Sequence, residues 1–155
     1  MSASDKAIRI SEVLKTGTFP IVELGMNYDD VVSRLVGAYE EDQNETARFL
    51  TADDLCLVFR QRVDDRTWAL YHIYIYAGSV DQSRIMLPDE FNIDLEELRP
   101  EMSLRDFAAF LSTRGVDFEI RDILPDTKWV IQSGNFNCLF TRDGEFRLDS
   151  FVFLK

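Results

Sequence analysis

Side chains able to carry out covalent or metal chemistry are few in this chain of 155 residues. It has one histidine, His72, and two cysteines, Cys56 and Cys138. Both cysteines lie inside apolar runs, where a reduced thiol behaves as a small hydrophobic group. Structural zinc sites take four histidine or cysteine ligands at typical spacings, and no Cys-x-x-Cys pair is present. We therefore expect no metal, no cofactor and two buried, free thiols.

Catalytic motifs are missing from the sequence as well. It contains neither a Gly-x-Ser-x-Gly nucleophile turn nor a glycine-rich phosphate loop. A Cys56–His72 nucleophile pair would require neighbouring strands, and burial of the thiol among leucines would keep it inert. With 28 aspartates and glutamates, no single carboxylate pair stands out for acid–base work. The residues favour a non-catalytic protein; the alternative is a small-molecule-binding or enzymatic domain with a pocket on a sheet face.

The stretch 68–76 is the richest in large rings and reads as a strand. Side chains alternate between the two faces of a strand, so the stretch divides into two groups. The first group, expected to pack against a helix, is Ala69, Tyr71, Ile73 and Ile75. The second group is Trp68, Leu70, His72, Tyr74 and Tyr76. Amphipathic rings of this kind are enriched at the energetic centres of protein interfaces.

The net charge of the chain restricts the class of partner that it could bind. Seventeen lysines and arginines against 28 acids give a formal net charge of −11, the wrong sign for gripping a nucleic-acid backbone. An acidic rim beside an aromatic centre would steer a basic protein partner. We therefore predict a partner-binding face made of Trp68, His72, Tyr74 and Tyr76 with Asp64 and Asp65. The alternatives are that this face packs inside the chain, or that a homodimer covers it.

Two helices are expected to hold such a strand in place. The segments 25–35 and 101–111 share a set of helix signals at nearly constant separation. These are a methionine (Met26, Met102), an N-cap residue (Asn27, Ser103), an acid three residues later (Asp30, Asp106) and a terminal glycine (Gly37, Gly115). The two methionines are 76 residues apart, which indicates an internal repeat.

Strands follow each predicted helix. The patterns indicate strands at 55–59, 68–76, 116–120, 129–131, 136–140 and 146–154, with Asp143-Gly144 as a hairpin turn. Ile73 and Ile75 lie 78 residues before Phe151 and Phe153, so the closing strands of the two halves also correspond. The interpretation is a duplication; the alternative is two unrelated α+β segments that use the same common caps.

The predicted fold is α+β, with two tandem helix-plus-antiparallel-sheet units and the helices packed on one face of a joined antiparallel sheet. Residues 1–77 form the first unit with an N-terminal extension, 78–98 a linker and 99–155 the second unit, within one compact domain. A short helix at 11–15, closed by Gly17, precedes the first unit, and 84–87 is expected to form a short strand.

The helix starts carry a resemblance to a known family. Gly-Met-Asn-Tyr-Asp-Asp-Val at 25–31 and Glu-Met-Ser-Leu-Arg-Asp-Phe at 101–107, each followed by a loop and an antiparallel sheet, resemble the tandem fold of the β-lactamase inhibitory protein family. The single-unit SmpA/OmlA lipoprotein domains are also similar. The resemblance spans about 19–155. It departs from the secreted inhibitors, which carry a signal and disulfides, since this sequence shows neither.

Size, charge and compartment make the chain similar to small acidic bacterial immunity proteins. No secretory signal is recognised at the N-terminus, and no apolar run approaches the roughly 20 residues that cross a bilayer. We therefore expect a cytoplasmic protein without membrane contact. The resemblance implies a binding scaffold, most simply an immunity-type inhibitor of a cognate basic toxin or enzyme.

Overall fold

The computed structural model describes residues 7–77, 85–99, 102–124, 128–143 and 145–154. The helices are α1 (Ile10–Thr16), α2 (Tyr28–Arg34) and α3 (Leu104–Thr113). The strands of the first part of the chain are β1 (Ile8–Arg9), β2 (Glu40–Gln43), β3 (Ala47–Ala52), β4 (Leu55–Gln61) and β5 (Trp68–Tyr76). Those of the second part are β6 (Ile93–Asp94), β7 (Glu119–Leu124), β8 (Lys128–Gln132), β9 (Phe136–Asp143) and β10 (Glu145–Phe153).

Eight of the strands form one antiparallel sheet in the order β2-β3-β4-β5-β10-β9-β8-β7. Each half is a four-stranded meander, and the two halves meet where β5 pairs with β10. At that seam Ile75 lies opposite Phe151 and Ile73 lies opposite Phe153. The short strands β1 and β6 pair in parallel as a separate ribbon. The predicted α+β class is confirmed, with the sheet as the dominant element.

The three helices all bury their apolar residues against the same face of the sheet. Phe107 of α3 is fully buried, with its ring centroid 5.7 Å from Phe140 and 5.5 Å from Phe151. Val31 of α2 and Leu14 of α1 belong to the same buried cluster. Each such side chain contributes about 1.5–3 kcal/mol by leaving water, so this side holds the fold together. We call it the inner face and the opposite side the outer face.

The ends of α1 and α3 follow the predicted chemistry. The Ser103 hydroxyl accepts a hydrogen bond from the Asp106 N–H at 3.1 Å, which satisfies one of the free donors at the start of α3. Gly17 and Gly115 both take φ of 72°, the left-handed conformation that closes a helix most easily with glycine.

The second helix departs from its expected ends. Asn27 is the N-cap residue of α2, but its side-chain oxygen accepts from the Arg62 guanidinium instead of capping the helix. The helix ends at Arg34, and Gly37 is not in the left-handed conformation. The Gly37 N–H instead donates to the Glu90 carboxylate at 2.9 Å, so the predicted glycine stop was wrong.

Five of the six predicted strands coincide with observed strands of the sheet. The prediction at 116–120 was wrong in its bounds, because Val116 turns into the core after α3 and the strand begins only at Glu119. Strands β2 and β3 were not predicted. The Gly144 position of the predicted hairpin turn lies outside the described residues.

The predicted linker is only partly described, since residues 78–84 lie outside the described ranges. Its remaining part contributes to the core: Phe91 is fully buried, and Ile85 and Leu98 are almost so. The strand predicted at 84–87 was wrong for the described residues 85–87, which form no strand. The strand of this region is Ile93–Asp94, which pairs with Ile8–Arg9.

Cys56 and Cys138 are both free and buried, as predicted. They belong to β4 and β9, which are separated by two strands, and they point to opposite faces of the sheet. Within the described ranges, no helix has both the length and the apolar character needed to span a membrane.

Candidate partner-binding face

The outer face of the sheet is lined by strand side chains, and no described helix packs on it. Residues that lie directly opposite each other on neighbouring strands share a face, so the register defines its members. One row runs across all eight strands in the order Glu40, Thr51, Cys56, Tyr74, Val152, Asn137, Gln132 and Glu119. The middle of the row is uncharged and its two ends are acidic.

Strand β5 brings four rings to this face near the seam between the two halves. The ring centroids of Tyr71 and His72 are 4.4 Å apart, and those of His72 and Tyr74 are 5.7 Å apart. Tyr74 and Tyr76 stack nearly parallel at 6.1 Å. Tyr71 is 53% exposed and Tyr76 45% exposed. The result is a ladder of rings, Tyr71, His72, Tyr74 and Tyr76, which we call the ring ladder.

A β-bulge at Tyr71 decides which rings join the ladder. Val58 lies opposite His72 while Phe59 lies opposite Leu70, so Tyr71 is one extra residue on β5. The extra residue shifts the alternation of side chains by one position. Leu70 is therefore buried on the inner face, and Tyr71 lies on the outer face, the reverse of the simple alternation predicted for both.

Trp68 does not belong to the ring ladder, and its prediction as a member of this face was wrong. It lies before the bulge and packs against the buried core of the inner face. There the Arg48 guanidinium lies 3.6 Å from the Tyr28 ring centroid and 5.7 Å from that of Trp68. Its ring is thus used in the contact between α2 and the sheet.

A small apolar cluster extends the ring ladder toward the edge of the first half. Ala47, Cys56 and Val58 are buried there without help from any helix, and Phe49 and Tyr74 pack on them. Beside this cluster is a shallow depression of about 610 Å³. It is lined by Glu40, Glu41, Asp42, Phe49, Thr51 and Cys56. The cluster gives the face an apolar centre next to acidic side chains.

Asp64 and Asp65 lie in the connection between β4 and β5, at the Trp68 end of β5. The Asp65 carboxylate accepts from the Thr67 hydroxyl at 2.7 Å and from its N–H at 3.0 Å, and these bonds lower the pKa of Asp65. Tyr76 lies eight residue steps along β5 from Trp68, a span of about 26 Å at the usual rise per residue. The structure thus does not bring the Asp64–Asp65 pair together with Tyr74 and Tyr76.

Other acids lie beside the Tyr76 end of the ring ladder. The Tyr76 N–H donates to the Asp54 carbonyl at 2.9 Å, and the Ala77 N–H donates to the Asp149 carbonyl at 2.8 Å. Burial raises the pKa of the Tyr76 phenol, and the Asp149 carboxylate adds to that shift. Sequence reasoning missed Asp149, because only the strand register brings it to Tyr76.

The surroundings of His72 favour the neutral form of its imidazole. Burial lowers the pKa of its imidazole below the usual 6.5, and the nearby Arg60 guanidinium lowers it further. The same guanidinium lies 5.3 Å from the Tyr71 ring centroid. The ladder therefore presents neutral rings, with Arg60 as the cation at its Trp68 end.

The geometry does not assemble a cysteine–histidine nucleophile. Strands β4 and β5 are neighbours, but Tyr74 lies opposite Cys56, and Val58 lies opposite His72. Burial raises the pKa of the Cys56 thiol, which leaves it protonated and weakly nucleophilic. Among the described residues, no group of three or more His, Cys, Asp or Glu side chains is arranged to hold a metal ion.

Comparison with known proteins gives no relative for this chain. No protein-family model matches it, and neither curated proteins nor solved structures yield a significant match.

Proposed function

We propose that this chain is a non-catalytic protein-binding module and that the outer face around the ring ladder is its binding site. The observation that carries the proposal is the one-sided sheet: all three helices pack on the inner face, while His72, Tyr74 and Tyr76 line the opposite side. Stacked amphipathic rings offer a large, rigid contact area at low entropic cost, as in the energetic centres of protein interfaces.

A basic partner fits the charges around this site. Glu40 and Asp42 project from β2 on the outer face, and the Asp149 carboxylate lies near the Tyr76 phenol at the end of the ring ladder. The net charge of −11 adds a long-range attraction for cations. Such a rim accelerates capture of a positively charged protein. Enzymes that act on anionic substrates have cationic clefts, so a toxin of this kind is the partner we propose, with this chain as its immunity-type inhibitor.

The proposal includes a duplicated scaffold, and matching contacts in the two halves support it. Leu70 N–H donates to the Met26 carbonyl at 2.8 Å, and Leu148 N–H donates to the Met102 carbonyl at 2.7 Å. Each bond joins the residue before a helix cap to a closing strand. The equivalent residues are 76 and 78 positions apart, which matches the separation of the helix signals.

The closing strands add two further correspondences. Strand β10 has an irregularity at Asp149, which lies 78 positions after the bulge at Tyr71. At the seam, the pairing of Ile75 with Phe151 and of Ile73 with Phe153 is the pattern that a two-fold axis between equivalent strands would produce. A duplication explains why two helices of similar start cover one side of a joined sheet and leave the other side for a partner.

The first test is to find the partner and measure inhibition. The tagged chain is used to capture proteins from lysate of the source cell, in parallel with Tyr74→Ala/Tyr76→Ala and with the control Val36→Ala, which changes an exposed apolar residue away from the sheet face. We expect wild type and control to capture the same basic protein and to inhibit its toxic activity.

The affinity of the double variant for the captured partner then shows whether the ring ladder is the binding site. Truncation of one central interface ring costs about 2 kcal/mol or more, which is about 30-fold in Kd, so we expect Kd of the double variant to rise by at least that factor. Circular dichroism and urea unfolding confirm that the variant is folded. A folded double variant that binds and inhibits like wild type would refute the proposed site.

Two matched double variants test whether the acidic residues of β2 steer a basic partner. We expect Glu40→Gln/Asp42→Asn to slow association with a basic partner, with a weaker effect at high salt. Asp64→Asn/Asp65→Asn removes the same charge beyond the Trp68 end of β5, which is about 26 Å from Tyr76, so its effect on the association rate should be smaller. Equal effects of the two pairs would show that only net charge matters and that the rim has no defined place.

A further inference from the structure

The two edges of the eight-stranded sheet differ in how they resist pairing with another strand. Unpaired edge strands present free N–H and C=O groups, and proteins protect them with charges or by keeping them short. At one edge, β2 has four residues, and three of them, Glu40, Glu41 and Asp42, are acidic. A second copy of this edge would be repelled.

The opposite edge is protected only in part, because a β-bulge at Ile123 and the inward-facing Asp122 interrupt its second half while residues 119–121 remain regular. Strand β7 has six residues, and Ile120 is 44% and Ile123 57% exposed in the single chain. Its charges have both signs, because Arg121 stands between Glu119 and Asp122. The regular stretch 119–121, with its exposed Ile120, is suited to a short pairing, and its mixed charges allow self-complementarity.

The alternation of side chains restricts how β7 could pair with itself. In an antiparallel pair related by a two-fold axis, residues directly opposite each other must lie on the same face. Centring the pair on Ile120 places the two Ile120 side chains together and puts each Glu119 opposite the other copy's Arg121. Centring it on Arg121 would bring two guanidinium groups together and place Ile120 opposite Asp122.

We propose that this chain forms a homodimer through antiparallel pairing of β7 with β7 of a second copy, centred on Ile120. Two Glu119–Arg121 ion pairs form between the copies on the outer face, and the isoleucines meet on the inner face. Within one chain, Arg121 and Glu119 already form an exposed ion pair at 3.0 Å. Exchanging that exposed pair for an intermolecular one costs little.

The consequence is a sheet that continues through both copies. A two-fold axis perpendicular to the sheet keeps both outer faces on the same side, so the two ring ladders remain uncovered and point in one direction. The rings stay exposed in this dimer, unlike in a dimer that would cover them. The dimer proposal does not depend on the proposed partner. Because the contact involves few residues, we expect a weak, concentration-dependent dimer.

A charge-swap experiment tests the register as well as the dimer. Sedimentation equilibrium is measured for the wild-type chain, Glu119→Arg, Arg121→Glu and the double swap Glu119→Arg/Arg121→Glu. Each single change replaces two attractions with two repulsions, so we expect the dimer Kd to rise by about ten-fold or more. The double swap restores complementarity and should dimerise like wild type.

Mixing the two single variants gives the sharpest result. In the proposed register, Glu119→Arg and Arg121→Glu chains are fully complementary to each other, so the mixture should form a heterodimer that neither forms alone. Charge controls of the same size on exposed helix residues are Glu12→Arg and Arg105→Glu, which should leave the dimer unchanged. A wild-type chain that stays monomeric at the highest soluble concentration, or a mixture that stays monomeric, would overturn the proposal.

Discussion

The contrast between the two faces of the sheet predicts unequal costs for removing a ring. Tyr76→Ala removes a ring of the outer face, and Phe107→Ala removes a ring of the inner face. Phe107 is fully buried against Phe140, Phe151 and Phe110, whereas Tyr76 is 45% exposed and stacks only on Tyr74 among the described rings. The two variants therefore compare a covered with an uncovered side of one sheet.

The magnitudes follow from burial and ring contacts. Removing a fully buried phenylalanine costs about 3–5 kcal/mol, because transfer and cavity terms add. About half of the Tyr76 side chain is buried, and this burial contributes about 1 kcal/mol to the free energy of unfolding. Its stacking on Tyr74 contributes a further amount of about 0.5–1 kcal/mol. We expect Tyr76→Ala to lower the free energy of unfolding by about 1–2 kcal/mol, less than the loss from Phe107→Ala.

Urea unfolding followed by circular dichroism measures both losses. The slope of the unfolding free energy against urea should remain that of wild type for each variant, since neither changes the surface exposed on unfolding by much. If Tyr76→Ala costs as much as Phe107→Ala, the ring is sealed inside the folded chain and the reasoning about an open outer face is wrong.

Three further properties can be measured on the chain alone. Burial and the Arg60 charge lower the pKa of His72, so the unfolded state takes up a proton at a higher pH than the folded state does. The chain is therefore most stable, with respect to His72, above about pH 6.5, and it loses stability as the pH falls below that value. NMR of the single histidine should show a folded-state pKa below 6.5, and a higher value would contradict this. Both thiols should react with a disulfide reagent only slowly until the chain unfolds, with Cys138, at 0% exposure, slower than Cys56; rapid labelling of native Cys138 would contradict its position. Ser103→Ala should cost about 1 kcal/mol of unfolding free energy through the lost cap, and an unchanged urea midpoint would show that the cap contributes nothing.

Much of the fold could be predicted from the sequence, because the local signals and the packing of the core agree. Ser103 caps α3, Gly17 and Gly115 close their helices, and β5 runs from Trp68 to Tyr76 as the alternation indicates. At these places the residues that favour an element are also those that the core requires. Agreement of this kind is typical of sequences that specify one structure.

The elements that were not predicted are those whose residues bond to partners far away in the sequence. Strand β2 is polar on both faces, so no apolar alternation marks it, and it exists because β3 supplies its hydrogen bonds. Gly37 looked like a helix stop, but the Glu90 carboxylate, 53 residues away, engages its N–H. Such long-range contacts have no local signature.

The binding face was predicted in part for a similar reason. His72, Tyr74 and Tyr76 lie together, as the alternation indicated, whereas the bulge at Tyr71 moved Trp68 to the inner face. A bulge is a property of two paired strands, since it is defined by the partner's register. Whether these rings bind a partner stays a prediction.

The most direct test of an open outer face measures the accessibility of the rings in solution. Hydroxyl-radical labelling read by mass spectrometry compares Tyr71 and Tyr76 with the inner-face ring Phe107, first in the free chain and then with the captured partner. We expect fast labelling of the tyrosines and almost none of Phe107 in the free chain, followed by protection of the tyrosines in the complex. Tyrosines that resist labelling in the free monomer, or that label equally fast in the complex, would contradict this expectation.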